Sequence, residues 1–200
     1  MPHAIRLVLL AAGGSTRMRG RDKLLETVDG VALLRRQASA MLASRVGPVA
    51  VTLAPDRPDR KAAIEGLAIN ALTIADAAQG MSGSLRAAAH WAAGNALLVA
   101  PADMPDLTSA DFRAAARAFD GLHPLRATGA DGTPGHPVIF PAPLLPLFDD
   151  LRGDDGARAI LRKHPPVLLA LPGDHALTDL DTPEAWDAWR ARTEGPSRRT

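Results

Sequence analysis

A glycine-rich segment with several cations follows the first apolar stretch of the chain. Gly13 and Gly14 end the apolar stretch, and Arg17 and Lys23 come shortly after them. Because glycine has no side chain, backbone N–H groups in such a segment can approach phosphate oxygens closely. The two cations can neutralise charge that develops during phosphoryl chemistry. The segment therefore predicts a phosphate-binding loop, and the alternative is a plain glycine turn with solvated cations.

The segment lacks two widespread phosphate-binding patterns. A P-loop needs Lys and then Ser or Thr directly after its last glycine, but here Gly20 is followed by Arg21 and Asp22. The dinucleotide pattern G-x-G-x-x-G does not fit either. A G-x-S-x-G nucleophile elbow is also missing from the sequence, so hydrolase chemistry of that kind lacks its minimum parts.

Carboxylates that could hold a metal occur at two places. Asp103 follows an apolar, strand-like stretch and lies between prolines, which is a suitable place for a magnesium ligand. Magnesium prefers one or two carboxylates together with phosphate oxygens and waters. Asp181 is a second candidate and Asp179 a third. The alternative for Asp103 is a turn or capping residue, and for the other two it is ordinary chemistry at a helix start.

A second segment rich in small residues precedes a strong helix pattern. Gly80 and Gly83 permit a tight backbone beside a flat base, and Ser82 and Ser84 supply hydroxyl groups. The helix start supplies free N–H donors. The segment is compatible with nucleoside binding, and the alternative is simply a capped helix start.

The composition excludes several classes of protein. The chain has 200 residues, no cysteine, and a formal net charge of +1. Disulfides, thiolate zinc sites, iron–sulfur clusters and cysteine nucleophiles are therefore excluded. The balanced charge and the 4% of aromatic residues argue against a nucleic-acid partner. The apolar runs are too short to span a bilayer, and a signal-peptide layout is missing, so we expect a cytoplasmic protein without a membrane partner.

Strand-like and helix-like patterns alternate through about residue 120. The predicted strands are 5–12, 48–53, 70–74, 96–100, 137–140 and 167–171, and the predicted helices are 32–43, 60–67, 83–93, 109–119, 157–163 and one that begins at Pro183. Buried strands separated by helices predict an α/β fold of the Rossmann-like, doubly wound type, with a mostly parallel sheet. We expect one domain over 4–192, with its last third an insertion and lid, and a flexible tail over 193–200. Trp186 and Trp189 should pack onto the domain.

The glycine-rich segment resembles a signature of the nucleotidyltransferases that complete the molybdenum cofactor, written roughly L-A-x-G-x-S-x-R-M-G-G-x-D-K-x-L-L. The matching positions are Leu10, Ala11, Gly13, Ser15, Arg17, Met18, Gly20, Asp22, Lys23 and Leu25. Arg19 departs from the signature, where a glycine is usual. Ala12 is more similar to the cytidylyltransferase branch than to the guanylyltransferase branch. The resemblance implies that the backbone of Leu10, Ala11, Ala12, Gly13 and Gly14 holds the triphosphate, with Lys23 on phosphate oxygens and Arg17 over the β/γ end.

Later motifs follow in the order of the same family. The G-M-x-x-S-L stretch implies base and ribose contacts from Gly80, Ser82 and Ser84, and Asp76 lies where the guanylyl branch has a nucleotide-contacting Asp. The L-x-D-x-P motif implies that Asp103 is the main metal ligand. The D-x-D-T-P-E ending implies that Asp181 is the second.

Two further motifs resemble acceptor-binding elements of the cytidylyltransferase branch. G-H-P-V implies that His136 contacts the acceptor, although a structural histidine is the alternative. G-D-x-G-A-R implies the same for Arg158, which could instead pair with Asp154 or Asp155. Arg86 and Arg162 are expected to be solvated helix residues.

The resemblance to molybdenum cofactor cytidylyltransferases, of the MobA-like NTP transferase superfamily, implies a nucleotide-diphospho-sugar transferase type of fold and a Mg2+-dependent enzyme. It would transfer CMP from CTP to the phosphate of molybdenum–molybdopterin and release pyrophosphate. Several alternatives stay open: GTP with the same pterin, CTP with a sugar or polyol phosphate, a glycosyltransferase that uses Asp179-x-Asp181 as its metal motif, and a non-catalytic cofactor carrier. A transient contact with a recipient molybdoenzyme or its chaperone is also implied.

Overall fold

A seven-stranded sheet forms the centre of the fold. The structure is a computed structural model and describes residues 4–77, 80–153 and 156–193. The strands of this sheet are β1 (Ile5–Leu10), β4 (Val49–Leu53), β5 (Asn70–Thr73), β6 (Ala96–Pro101), β7 (Leu125–Thr128), β8 (Pro134–Phe140) and β9 (Val167–Ala170), and they lie in the order β5-β4-β1-β6-β8-β7-β9. β8 is antiparallel to both of its neighbours, while the other pairs are parallel. The predicted mostly parallel sheet is confirmed.

Helices cover both faces of the sheet. They are α1 (Leu33–Ala43), α2 (Pro58–Ala63), α3 (Met81–Ala92), α4 (Ser109–Ala118), α5 (Arg158–Lys163) and α6 (Pro183–Thr193). Side chains of a strand alternate between its two faces, so Leu7 and Leu9 of β1 join a core with α1 and α4 residues. Val8 between them joins a second core with α3 residues. The doubly wound arrangement predicted from the sequence is confirmed.

The sequence predicts an insertion and lid in the last third of the chain, and the insertion part of this prediction is wrong. β7, β8 and β9 belong to the central sheet, and β8 pairs directly with β6. β7 has only four residues, and glycines and prolines interrupt the apolar pattern around it, so its neighbours in the sheet decide its conformation. The 3-10 helix Ala142–Asp150 was also not predicted; its Leu145 and Phe148 pack into the α3 side of the core.

A third apolar cluster ties the two ends of the chain together. Its buried members are Met18, Val28, Leu33, Leu180, Trp186 and Trp189. Met18 lies beside the glycine-rich segment, and Val28 belongs to the small hairpin of β2 (Thr27–Val28) and β3 (Val31–Ala32). The prediction that the two tryptophans pack onto the domain is confirmed. The consequence is that α6 and the residues just before it are held against the glycine-rich segment.

None of the helices in the described ranges is long and apolar enough to cross a membrane. Of the predicted tail, 193–200, residues 194–200 lie outside the described residues.

Candidate active site

A cavity of about 670 Å³ opens where β1 and β6 end, at Leu10 and Pro101. Ligands of open α/β sheets bind beyond the carboxyl ends of the strands, and this volume is in the range of small-molecule sites. The predicted site residues that line it are Leu10, Ala11, Ala12, Gly13, Gly14, Arg17, Lys23, Gly80, Ser84, Asp103 and Asp181. Four other predicted residues, Asp76, Ser82, His136 and Arg158, are described by the structure but are not part of this lining.

Lys23 lies between two carboxylates on the wall of the cavity. Its Nζ donates to Oδ2 of Asp103 and to Oδ1 of Asp181. Burial lowers the pKa of Lys23, but the charges and hydrogen bonds of Asp103 and Asp181 raise it by more, so its pKa lies above the ordinary lysine value. Burial raises the pKa of Asp181, and its bonds to Lys23 together with the charge of Arg17 bring it below the ordinary value. Lys23 and Asp181 are therefore charged at neutral pH.

A backbone contact brings the two carboxylates together although they are far apart in the sequence. The N–H of Leu180 donates to the carbonyl oxygen of Asp103 at 3.0 Å. Leu180 is itself anchored in the apolar cluster of α6, so this contact fixes the segment that carries Asp181. Arg17 donates to the other oxygen of Asp181 from an exposed position. Apolar packing thus positions the charged groups.

The carboxylates fit a divalent cation that also has ligands outside the protein. Oδ1 of Asp103 is buried and has no hydrogen-bond partner among the described residues, which is a costly state that a metal ion would relieve. Within the described residues, no group of three or more His, Asp or Glu could hold a metal alone. Magnesium typically binds through one or two carboxylates plus phosphates and waters, so Asp103 and Asp181 suit it.

Asp179 differs from the other two aspartates. Burial, followed by repulsion from Asp181 and Asp103, raises its pKa above the ordinary value. A carboxyl group that ionises less readily is a weaker metal ligand. The electrostatics therefore favour Asp181 over Asp179 as a metal ligand.

The sequence interpretation missed Arg60 of α2, which lies fully buried behind the glycine-rich segment. Its guanidinium donates to the carbonyl oxygens of Ala11 and Gly13 at 2.6 and 2.7 Å, and to Oγ of Ser15 at 2.9 Å. It also forms a two-pronged pair with Asp22, at 2.7 and 2.8 Å. Burial raises the pKa of Asp22, but this pair and its other hydrogen bonds lower it by more. The run Asp56–Lys61 looks like a solvated, charged helix start, so only Asp22, an acidic residue among the cations of the glycine-rich segment, could have signalled this contact.

Only some of the predicted residues of the second small-residue segment lie at the cavity. Gly80 and Ser84 line the cavity, and Gly80 has a φ of +108°, which only glycine adopts freely. Ser82 is buried at the start of α3. Ala78 and Gln79, between Asp76 and Gly80, lie outside the described residues.

Asp76 is held by an ion pair instead of lining the cavity. Its Oδ2 accepts from Arg86 at 2.7 Å, and Arg86 also donates to the carbonyl oxygen of Leu151 at 2.8 Å. The prediction that Arg86 is solvated is therefore wrong, whereas Arg162 is exposed as expected. Gly83 allows this arrangement, because a Cβ there would lie 2.4 Å from Oδ1 of Asp76.

His136 and Arg158 lie apart from the lining of the cavity. Nδ1 of His136 is buried without a hydrogen-bond partner among the described residues. Arg126 of β7 interacts electrostatically with both residues. Burial, and then the charge of Arg158, lower the pKa of Arg126, and the charge of Arg126 lowers the pKa of His136. The proposed partners of Arg158, Asp154 and Asp155, lie outside the described residues.

Residues 7–167 match the family model described as the MobA-like NTP transferase domain. The chain belongs to this family. The match includes the glycine-rich segment, Lys23 and Asp103, and it ends before Asp181. Membership in the family supports nucleotidyl transfer as the class of activity.

Solved structures agree with the fold of this MobA-like domain. Rv0371c from Mycobacterium tuberculosis H37Rv superposes with a TM-score of 0.82 at 24% identity, covering 98% of this chain and 100% of that one. A nucleotidyl transferase from Methanothermobacter thermautotroptrophicus gives 0.80 at 21% identity, over 94% and 97%. A CMP:2-keto-3-deoxy-manno-octonic acid synthetase complexed with CTP gives 0.76 at 12%, over 95% and 98%. No curated protein sequence matches the chain. At these identities the structures show a shared fold.

His136 should make the MobA-like domain less stable in mild acid. Burial, and then repulsion from Arg126, lower its pKa to about 4; Arg158 acts in the same direction, and Asp103 opposes them. The unfolded chain therefore binds the proton more readily, and stability falls as the pH drops below the unfolded value of about 6.5. We expect the free energy of unfolding to fall by about 2 kcal/mol more between pH 7 and 5 in the wild type than in His136→Asn, measured by urea unfolding.

The two carboxylates with lowered pKa values in the site, Asp22 and Asp181, do not titrate in this pH window. Asp22 and Asp181 have lowered pKa values, so they protonate below the ordinary carboxylate value of 3.8. Equal losses of stability in the wild type and in His136→Asn would show that His136 is protonated in the folded domain.

Arg19, which departs from the family signature, should contribute little to activity. Its φ of +52° is in the left-handed region, where glycine is unstrained. Its side chain pairs with Glu184, and both are exposed, so water screens the pair and it contributes little to stability. We expect Arg19→Gly to shift the free energy of unfolding by no more than about 1 kcal/mol and to leave the turnover rate unchanged. A tenfold loss of turnover would mean that Arg19 reaches the substrate.

Proposed function

We propose that the chain is a Mg2+-dependent cytidylyltransferase that transfers CMP from CTP to the phosphate of molybdenum–molybdopterin and releases pyrophosphate. One observation carries the proposal. The glycine-rich segment, the Lys23 ammonium and the carboxylates of Asp103 and Asp181 all border one cavity at the carboxyl edge of the sheet. This is the set of groups that a triphosphate and its metal ion require.

The choice of CTP and of a divalent metal has independent support. The segment Ala11–Ala12–Gly13 is similar to the cytidylyltransferase branch, and a neighbour of the same fold was solved with CTP bound. Rv0371c, in a second structure, was solved in complex with manganese. The orphaned Oδ1 of Asp103 gives an ion of this kind a place to bind.

The reaction needs positioning and charge neutralisation more than proton transfer. The acceptor is a phosphate monoester, which is already ionised near neutral pH, so its attack on the α-phosphorus requires no general base. Lys23 and Arg17 would neutralise charge on the departing pyrophosphate. Bound magnesium would supply further charge neutralisation at the phosphates. Arg17 is exposed, and its one ion-pair partner among the described residues is Asp181, so its side chain can turn toward the β/γ end.

The pKa of His136 decides what it can contribute to acceptor binding. With a pKa of about 4, its ring is neutral at physiological pH and cannot supply positive charge. Its contribution would be a hydrogen bond from or to Nδ1, which has no protein partner among the described residues. The positive charge for an anionic acceptor would come from Arg158.

Pyrophosphate release tests the proposal. The purified protein is incubated with Mg2+, molybdenum-loaded molybdopterin and CTP, GTP or ATP in parallel. We expect release with CTP alone. Release with GTP would keep the reaction and overturn the choice of base. No release with any nucleotide, from folded protein and verified acceptor, would contradict transfer to this acceptor and favour another acceptor or a cofactor carrier.

A further inference from the structure

Arg60 uses every donor it has on the glycine-rich segment. Its five N–H groups reach two backbone carbonyls, the Ser15 hydroxyl and both oxygens of Asp22. A buried ion pair of this kind contributes little net stability, because removing both charges from water costs about as much as their attraction returns. The arrangement therefore calls for an explanation other than stability.

The two carbonyl contacts determine where the neighbouring N–H groups point. In a trans peptide the C=O and the following N–H point in opposite directions, and the only cis peptide among the described residues is at His136–Pro137. Because the carbonyls of Ala11 and Gly13 point at Arg60, the N–H groups of Ala12 and Gly14 point away from it. Both residues line the cavity, and neither N–H donates to a protein acceptor in the described part of the chain.

The same guanidinium also fixes the segment that carries Lys23. Asp22 precedes Lys23, and its Oδ1 accepts from Arg60, from the Ser15 hydroxyl at 3.2 Å and from the N–H of Leu24 at 3.0 Å. The backbone on both sides of Lys23 is thus tied to Arg60. One buried side chain connects the free N–H groups to the cation opposite them.

We propose that Arg60, paired with Asp22, is the positioning residue that holds the N–H groups of Ala12 and Gly14 ready for a polyphosphate. The inference rests on the proposed function only in placing the triphosphate at this segment. Arg60 itself lies behind the backbone and does not touch the ligand. Free, aligned N–H groups form an anion-binding concavity, and Arg60 reduces the ordering that binding would otherwise require.

Binding of inorganic tripolyphosphate tests this role without a base or an acceptor. Calorimetry compares tripolyphosphate, CTP and CMP, each with Mg2+, on the wild type and on Arg60→Lys. Lysine keeps the charge, but one ammonium cannot reach both carbonyls and both carboxylate oxygens. We expect the affinity of Arg60→Lys for tripolyphosphate and CTP to fall about 10- to 100-fold, the size typical of lost supporting hydrogen bonds, and its affinity for CMP to change much less.

Two further variants separate positioning from stability. The double variant Arg60→Met/Asp22→Leu removes both buried charges but leaves the carbonyl oxygens of Ala11 and Gly13 without their donor. We therefore expect a modestly lower melting temperature together with weak binding of tripolyphosphate. The matched control is Arg35→Met. Arg35 also donates to backbone carbonyls, those of Ala63 and Glu65 at 3.0 and 2.9 Å, but it does not line the cavity. Its loss should lower stability and leave tripolyphosphate binding unchanged.

The outcomes distinguish this inference from the proposed function. Wild-type affinity of Arg60→Lys for tripolyphosphate, or equal weakening for CTP and CMP, would overturn the role of Arg60. Polyphosphate binding that depends on Arg60 without pyrophosphate release from any nucleotide would support Arg60 and count against the transferase. A wild type that does not bind tripolyphosphate or CTP would overturn both.

Discussion

Lys23→Met should reduce the turnover of CTP about 100- to 1,000-fold, the loss typical of removing one preorganised group that stabilises developing charge. Lys23 is the more buried of the two cations that line the cavity, and it lies between Asp103 and Asp181. Methionine has a similar length, so the volume of the side chain is largely kept. Steady-state pyrophosphate release at saturating CTP measures the effect, and the KM for CTP should change less than the turnover rate.

The same substitution should strengthen metal binding in the absence of nucleotide. Lys23 neutralises both carboxylates, and without it they repel each other and attract a divalent cation more strongly. Mn2+ or Mg2+ should therefore raise the melting temperature of Lys23→Met more than that of the wild type. Arg21→Met is the matched control, because Arg21 is a cation of the same segment whose partner is Glu26, at 3.2 Å. Wild-type turnover in Lys23→Met would refute the role of Lys23.

The features that could be predicted from the sequence are those that local pattern determines. β1 is a short apolar run that ends in glycines, so its strand and the loop after it follow from neighbouring residues. Its end differs by two residues, because the N–H of Ala11 donates to Oγ1 of Thr52 and leaves the strand ladder. The resemblance to a known signature then indicated the residues Lys23, Asp103 and Asp181, which the structure brings to one cavity.

The features that were missed depend on contacts between distant parts of the chain. Arg60 lies in a charged, polar run, and only the folded chain shows that it enters the space behind Gly13. Asp76 matched a family position, but it pairs with Arg86 of α3, the helix that follows it, and does not line the cavity. β7 is a strand only because β8 and β9 supply its hydrogen bonds. Such pairings have no local signal.

Asp103→Asn should abolish most metal-dependent activity. Asparagine keeps the shape and the hydrogen bond to Lys23 but removes the negative charge that a hard cation needs. Loss of a residue that supports a metal ligand typically lowers metal affinity or activity 10- to 100-fold, and loss of the ligand itself lowers it more. We therefore expect turnover to fall by more than about 100-fold. Raising the Mg2+ concentration should recover part of the rate, because the loss is one of metal affinity.

Asp106→Asn is the matched control for this prediction. Asp106 lies in the same loop, and its carboxylate accepts from Nε1 of Trp189 at 2.8 Å and from Arg192 at 3.0 Å, away from the cavity. Its substitution should lower the melting temperature through the packing of α6 and leave the Mg2+ dependence of turnover unchanged. If Asp103→Asn kept the wild-type Mg2+ dependence, the metal would have to bind elsewhere. The unpartnered Oδ1 of Asp103 argues against that result, since a buried carboxylate oxygen without a ligand is a cost that the fold has no other reason to keep.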